Sequence, residues 1–277
     1  EIPPFLGGTT AVPVNIAVAP SYLQLDEDGA TIGLALSGTT PKLIDYDSPG
    51  SLARNGCFED DEQPIALPKD AHVAIALHDD LFNQGFFAAW WGGILNVTID
   101  AALLETLELD LPVEGLEVTI APMLPPVLTS CTPNGKTRLQ LGDVEVAASF
   151  EFNGGPAYVR AFVSGSFEVD VEVKAAEGAT VEISFGVTDV TALDFEIVET
   201  TGAIEGAKNL LQLILTQIIE DVVVEQLAGG VFKNFPVPVF DLSTLIPGLP
   251  AQTVLTFDPG ALHRDEGYIV LNGTVVD

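Results

Sequence analysis

At 277 residues the chain is long enough for one large domain or two small ones, and its 47% hydrophobic content excludes global disorder. Forty acidic residues against 10 basic ones give a net charge of −30, a field that repels nucleic-acid phosphates and anionic lipid headgroups. The acidity is scattered, densest at Phe58-Glu59-Asp60-Asp61-Glu62, as suits a solvated surface.

The chain begins at Glu1 rather than Met, as a trimmed or a processed chain does, so a missing signal peptide carries no information. Val12–Ile16 and Tyr22–Leu25 alternate apolar and polar residues, Asp26-Glu27-Asp28-Gly29 turns, and Ala30–Leu36 returns, which predicts a hairpin. The Asp26–Gly29 run has the flavour of a calcium loop but lacks the downstream bidentate Glu, so a hairpin turn is the reading preferred. Residues 38–70 are rich in Pro, Gly, Asp and Ser and predict a long irregular connection. His72–Leu77 predicts a strand.

Asp79–Leu95 predicts a short helix, with Asp79 or Asp80 suited to its N-cap. Leu81, Phe82, Gly85, Phe86, Ala89 and Gly93 recur at helical spacing, and Phe87, Trp90 and Trp91 add aromatic bulk. Its glycines lower helix propensity, so packing must hold it. Val97–Ile99 predicts a strand and Leu103–Leu107 a helical turn. From Gly115 the chain turns to long strands: Gly115–Ala121, Arg138–Phe152, Ala157–Val173, Thr180–Val187 and Ala192–Glu199. A phase slip near Gly142 predicts a bulge.

A long apolar helix is then predicted from about Ala203 to Ala228, roughly 39 Å at 1.5 Å per residue. Ile204, Ala207, Leu210, Leu211, Ile214, Leu215, Ile218, Ile219 and Val222 follow helical spacing, and Leu213, Val223 and Val224 widen the apolar surface beyond a narrow stripe. Glu205, Lys208, Glu220, Asp221 and Glu225 are too many charges for a membrane span. Phe232–Phe240, Gln252–Phe257 and Tyr268–Leu271 predict closing strands. Such a helix needs an equally long apolar partner, which a strongly curved sheet would supply.

The order is hairpin, strand, helix, antiparallel meander, long apolar helix and closing strands. Within it, His78-Asp79-Asp80-Leu81-Phe82-Asn83-Gln84-Gly85 continues through Trp90-Trp91-Gly92-Gly93-Ile94-Leu95, and Ala121-Pro122-Met123-Leu124-Pro125-Pro126 enters a strand. Val231-Phe232-Lys233-Asn234-Phe235-Pro236-Val237-Pro238 leaves the long helix, and Gly267-Tyr268-Ile269-Val270-Leu271 closes the chain. Together these resemble one module of the tubular lipid-binding superfamily, most nearly the C-terminal module of the bactericidal/permeability-increasing and lipopolysaccharide-binding protein family. The likeness covers about residues 70–277, with residues 1–70, the N-terminal hairpin and long connection, expected to join the same sheet. It implies an α+β fold in which a long, highly curved antiparallel sheet wraps a long apolar helix, with a second shorter helix. The chain departs from the family in its acidity, which tells against endotoxin as ligand.

The resemblance implies an apolar slot between helix and sheet that takes acyl chains, driven by roughly 0.8 kcal/mol per buried methylene. Phe82, Phe86, Trp90, Ile204, Leu211, Leu215 and Ile218 are the expected lining, although residues at such spacing also serve as plain core. Trp90 and Trp91 suit a slot mouth, where an amphipathic ring meets a headgroup.

An enzyme is not expected. His72, His78 and His263 form no HExxH pair, no GxSxG is present, and Asp79-Asp80 reads more simply as a helix-start pair. Cys57 and Cys131 lack a neighbouring His and make a poor metal site. In an oxidising compartment they would close a loop of about 74 residues, stabilising by roughly 4 kcal/mol; two unrelated thiols are the alternative. Asn96-Val97-Thr98 and Asn272-Gly273-Thr274 fit the glycosylation pattern. The expectation is a non-enzymatic, extracytoplasmic binder or carrier of phospholipid or fatty acyl chains. It has no cofactor beyond a co-purified lipid, no nucleic-acid partner, and room for a homodimer or second module. The rival is an interaction module with a filled core, pairing through a sheet edge.

Overall fold

Long runs of alternating apolar and polar residues, punctuated by Gly and Pro, make most of the described residues antiparallel sheet. The computed structural model describes residues 11–26, 29–48, 50, 52, 73–100, 103, 113–129, 137–175, 181–202, 204, 208–217, 219, 235–236, 248, 250, 254–265 and 267–276. The fold is α+β, with two helices among the described residues and an open sheet.

The predicted hairpin is present as β1 (Asn15–Asp26) and β2 (Gly29–Thr39), with a register shift between Pro20 and Tyr22. Among the described strands these two pair only with one another, rather than joining the larger sheet. The hairpin instead meets the first helix: the Gly38 N–H donates to Gln84 Oε1 at 3.0 Å. β3 (Val73–His78) runs straight into α1 (Asp79–Trp91).

Next come β4 (Val97–Ile99), β5 (Glu114–Pro122), β6 (Val127–Thr129), β7 (Thr137–Phe152), β8 (Gly155–Ala175) and β9 (Val181–Gly202). α2 (Lys208–Gln217), β10 (Phe235–Pro236), β11 (Val254–Asp265) and β12 (Tyr268–Val276) complete the order. The seven-stranded sheet runs β10-β9-β8-β7-β5-β4, with β6 also on β7; β11-β12-β3 form a second, three-stranded sheet.

β5 and β6 share one edge of β7, and β7 bulges where the first gives way to the second. Its register slips between Leu141 and Val144, Asp143 takes φ +47°, and Met123 N–H donates to Asp143 O at 3.1 Å. This is the slip expected at Gly142. The slip keeps Leu139, Leu141, Val144, Val146 and Ala148 on one buried face.

β9 differs from expectation. The predicted strands Thr180–Val187 and Ala192–Glu199 are one 22-residue strand. Its pairing with β8 passes over Thr188, Thr191 and Val198, one extra residue at each of three register shifts. Thr188 and Thr191 donate their hydroxyls to Glu168 O and Ser166 O, at 3.4 and 2.8 Å, so the bulges do not leave those carbonyls bare. A bulge interrupts period-two alternation without ending the strand, which is why the pattern reads as a break.

The inner face of β5, β7 and β8 is almost wholly aliphatic: Leu116, Val118 and Ile120, then Val146 and Ala148, then Val159, Ala161 and Val163 are buried. Gly165 leaves room for the Phe167 ring, since a Cβ there would stand 2.6 Å from that ring. The outer face is polar, with Arg160 between Glu145 and Glu199 at 4.0 and 3.6 Å. The helices, the inner face and β12 share one apolar core.

Candidate functional site

α1 is capped at both ends. Strand pairing of His78 with Tyr268 keeps His78 extended, so His78 is the N-cap in place of Asp79 or Asp80. Its Nδ1 accepts from the Asp80 N–H at 3.1 Å, while Asp79 and Asp80 occupy the first turn, where carboxylates favour the helix dipole. At the far end Gly92 N–H donates to Ala88 O and Gly93, at φ +70°, ends the helix.

Asn83 docks α1 onto β6. Its Nδ2 donates to Leu128 O at 2.9 Å and its Oδ1 accepts from Leu128 N–H at 2.6 Å, so one amide occupies the place of a neighbouring strand. Trp90 Nε1 donates to Pro122 O at 2.7 Å, and the Tyr46 hydroxyl donates to the same carbonyl. Tyr46 and Trp90 meet edge to face at 6.4 Å.

Burial pushes the Tyr46 hydroxyl above its ordinary pKa; hydrogen bonding with Trp90 opposes this, and the charges of Asp45 and Glu145 reinforce it. A raised folded-state value means that folding retains the proton. The contribution is whole below about pH 10 and is lost as pH rises through the folded value. Thermal unfolding followed from neutral to strongly alkaline pH should therefore show falling stability at the top of that range. Tyr46→Phe should flatten that limb. An unchanged alkaline slope would remove Tyr46 as its source.

Of the expected lining residues, Phe82, Phe86, Trp90, Ile204, Leu211 and Leu215 are all buried and share one core; Ile218 lies outside the described residues. Ile204 sits in a turn before α2, and the described helix covers only Lys208–Gln217 of the longer span expected. Leu211, Leu215 and Ile219 form a buried stripe at four-residue spacing. Leu213 is 52% exposed, so in this stretch the apolar face is narrower than the sequence suggested. Cys57 and Cys131, and with them the disulfide, lie outside the described residues. Among the described residues no group of three or more His, Cys, Asp or Glu is placed to hold a metal ion.

Trp90 is interior rather than at a mouth; Trp91 is the half-buried tryptophan, stacked on Phe87 at 5.5 Å. Phe82 packs edge to face on Phe185 of β9 at 5.0 Å. Ile183 and Phe185, within its reach, are buried. Along the same face Val187, Val190, Leu193, Phe195 and Ile197 are only half-buried against the core. These five residues were not among the expected lining. Their spacing of three, three, two and two hides the face until the bulges at Thr188 and Thr191 are known.

No protein-family model and no curated protein sequence matches the chain. Among solved structures the chain is similar to the crystal structure of lipopolysaccharide binding protein. The match is 14% identical with a TM-score of 0.39, covering 90% of this chain and 51% of that one, so this chain spans about half its length. The likeness is distant and carries no inference about ligand. No helix among the described residues is long and apolar enough to cross a membrane.

Proposed function

We propose that this protein is a non-enzymatic binder or carrier of phospholipid or fatty acyl chains that works outside the cytoplasm as a single module over residues 71–277. The observation that supports it is the inner face of β9. Val187, Val190, Leu193, Phe195 and Ile197 continue the buried aliphatic wall of β8 but are only half covered. An acyl chain laid along them would remove more of that apolar area from water, at roughly 0.8 kcal/mol per methylene, without any specific polar contact. Phe82, Phe86, Trp90, Ile204, Leu211 and Leu215 would back the chain from the helical side.

Mass spectrometry of an organic extract of the pure protein should recover phospholipid or fatty acid, and the stripped protein should take up fluorescent acyl probes. Recovery of no lipid together with no uptake would overturn the proposal. One observation favours a second reading. Beyond Ile183, no described strand pairs with the outer edge of β9, which could accept a strand from another copy. A chain that carries no lipid and sediments as a dimer would favour that reading.

A further inference from the structure

We propose that the C-terminal end of α1 is a contact patch for a lipid surface without net charge. The proposal rests on the lipid-binding reading and adds where the protein would meet its source of lipid. Two segments far apart in sequence build the patch. Phe87 and Trp91, one turn apart on α1, stack at 5.5 Å with ring planes 19° apart. Leu43 is fixed beside Trp91 through its backbone, its N–H donating to Trp91 O at 3.0 Å, and the next residue, Ile44, is buried. Leu43 is 59% exposed and Phe87 44%. Among the described residues the other exposed large apolar side chains, Ile32, Val198 and Leu213, stand singly on β2, β9 and α2.

The chemistry is that of a membrane interface: aromatic rings with one apolar side, an aliphatic neighbour, and a lysine that carries its charge across an aromatic face. Lys42 Nζ lies 5.1 Å from the Trp91 ring centre and 3.1 Å from Asp47 Oδ1. Charge decides between lipids. The net charge of −30 repels an anionic surface, and the patch's own cation is already paired, so it offers no positive field to overcome that repulsion. A zwitterionic headgroup matches both signs present. Its phosphate can meet Lys42, and its quaternary ammonium can meet the aromatic rings and Asp47.

The test is flotation with vesicles of phosphatidylcholine, with and without added phosphatidylglycerol, using the full chain. The wild type should float with the neutral vesicles, and brominated phosphatidylcholine should quench tryptophan emission. Added phosphatidylglycerol should weaken both. Leu43→Ser combined with Phe87→Ser should lower vesicle affinity about tenfold or more, whereas Leu213→Ser should leave it unchanged. Circular dichroism checks that each variant is folded. Uptake of monomeric acyl probe should survive the double substitution, which separates the patch from the interior. Acyl uptake by a wild type that ignores neutral vesicles would overturn the patch and leave the carrier reading standing. Full binding by the double variant would overturn it as well. So would a lipid-free dimer that Phe87→Ser dissociates, because the patch would then serve self-association.

Discussion

Replacing Asn83 by Ala should destabilise the protein by about 2–6 kcal/mol, from two orphaned backbone groups at roughly 1–3 kcal/mol each. Leu128 N–H and C=O on the side facing α1 both end on the Asn83 amide, at 2.6 and 2.9 Å. Leu128 is buried, so water cannot replace the lost partner without opening the junction between α1 and β6. Asn83→Asp is the informative companion. It keeps an acceptor for the Leu128 N–H but sets a carboxylate oxygen against the Leu128 carbonyl in a buried place, so it should lose at least as much as Ala. Urea unfolding monitored by tryptophan emission reads both, since Trp90 lies two turns along the same helix. A loss below about 1 kcal/mol for Asn83→Ala would mean that the amide does not dock the helix.

The second large effect is expected on ligand uptake. Phe195→Asp should weaken binding of a fluorescent acyl probe about 100-fold, because a carboxylate would face hydrocarbon in the middle of the β9 wall. Phe195 pairs in register with Val163 and is flanked on its face by Leu193 and Ile197, so the charge would interrupt a continuous apolar strip. Its half-buried position limits the cost to the fold, and Phe195→Ser offers a milder variant should the Asp protein unfold. Glu196→Gln, on the exposed face of the same strand, should leave uptake unchanged. Unaltered uptake in folded Phe195→Asp protein would remove β9 from the proposed site.

Neither of these two sites is announced by the chain, although elements beside them are. Phe82, Phe86 and Trp90 are legible because helical periodicity depends on neighbours three and four residues apart, and all three are buried. The bulge at Gly142 is legible for the same local reason: apolar positions change phase beside a glycine. The β9 wall is not. Three extra residues shift its inward face relative to a simple alternation, and they are accommodated only because β8 pairs around them and two threonine hydroxyls satisfy the freed carbonyls. Asn83 is equally silent in sequence, since a buried amide gains its meaning from Leu128, 45 residues away.

By itself the sequence determined most of the order of strands and helices, the net acidity, and the apolar stripe of α1. Each of these follows from composition or from contacts a few residues apart. Only the tertiary structure decided that Trp90 is interior while Phe87 and Leu43 are exposed, that Leu213 points away from the core, and that the hairpin meets α1. Burial is a property of what packs on a residue, and the partners that settle it lie tens of residues away along the chain.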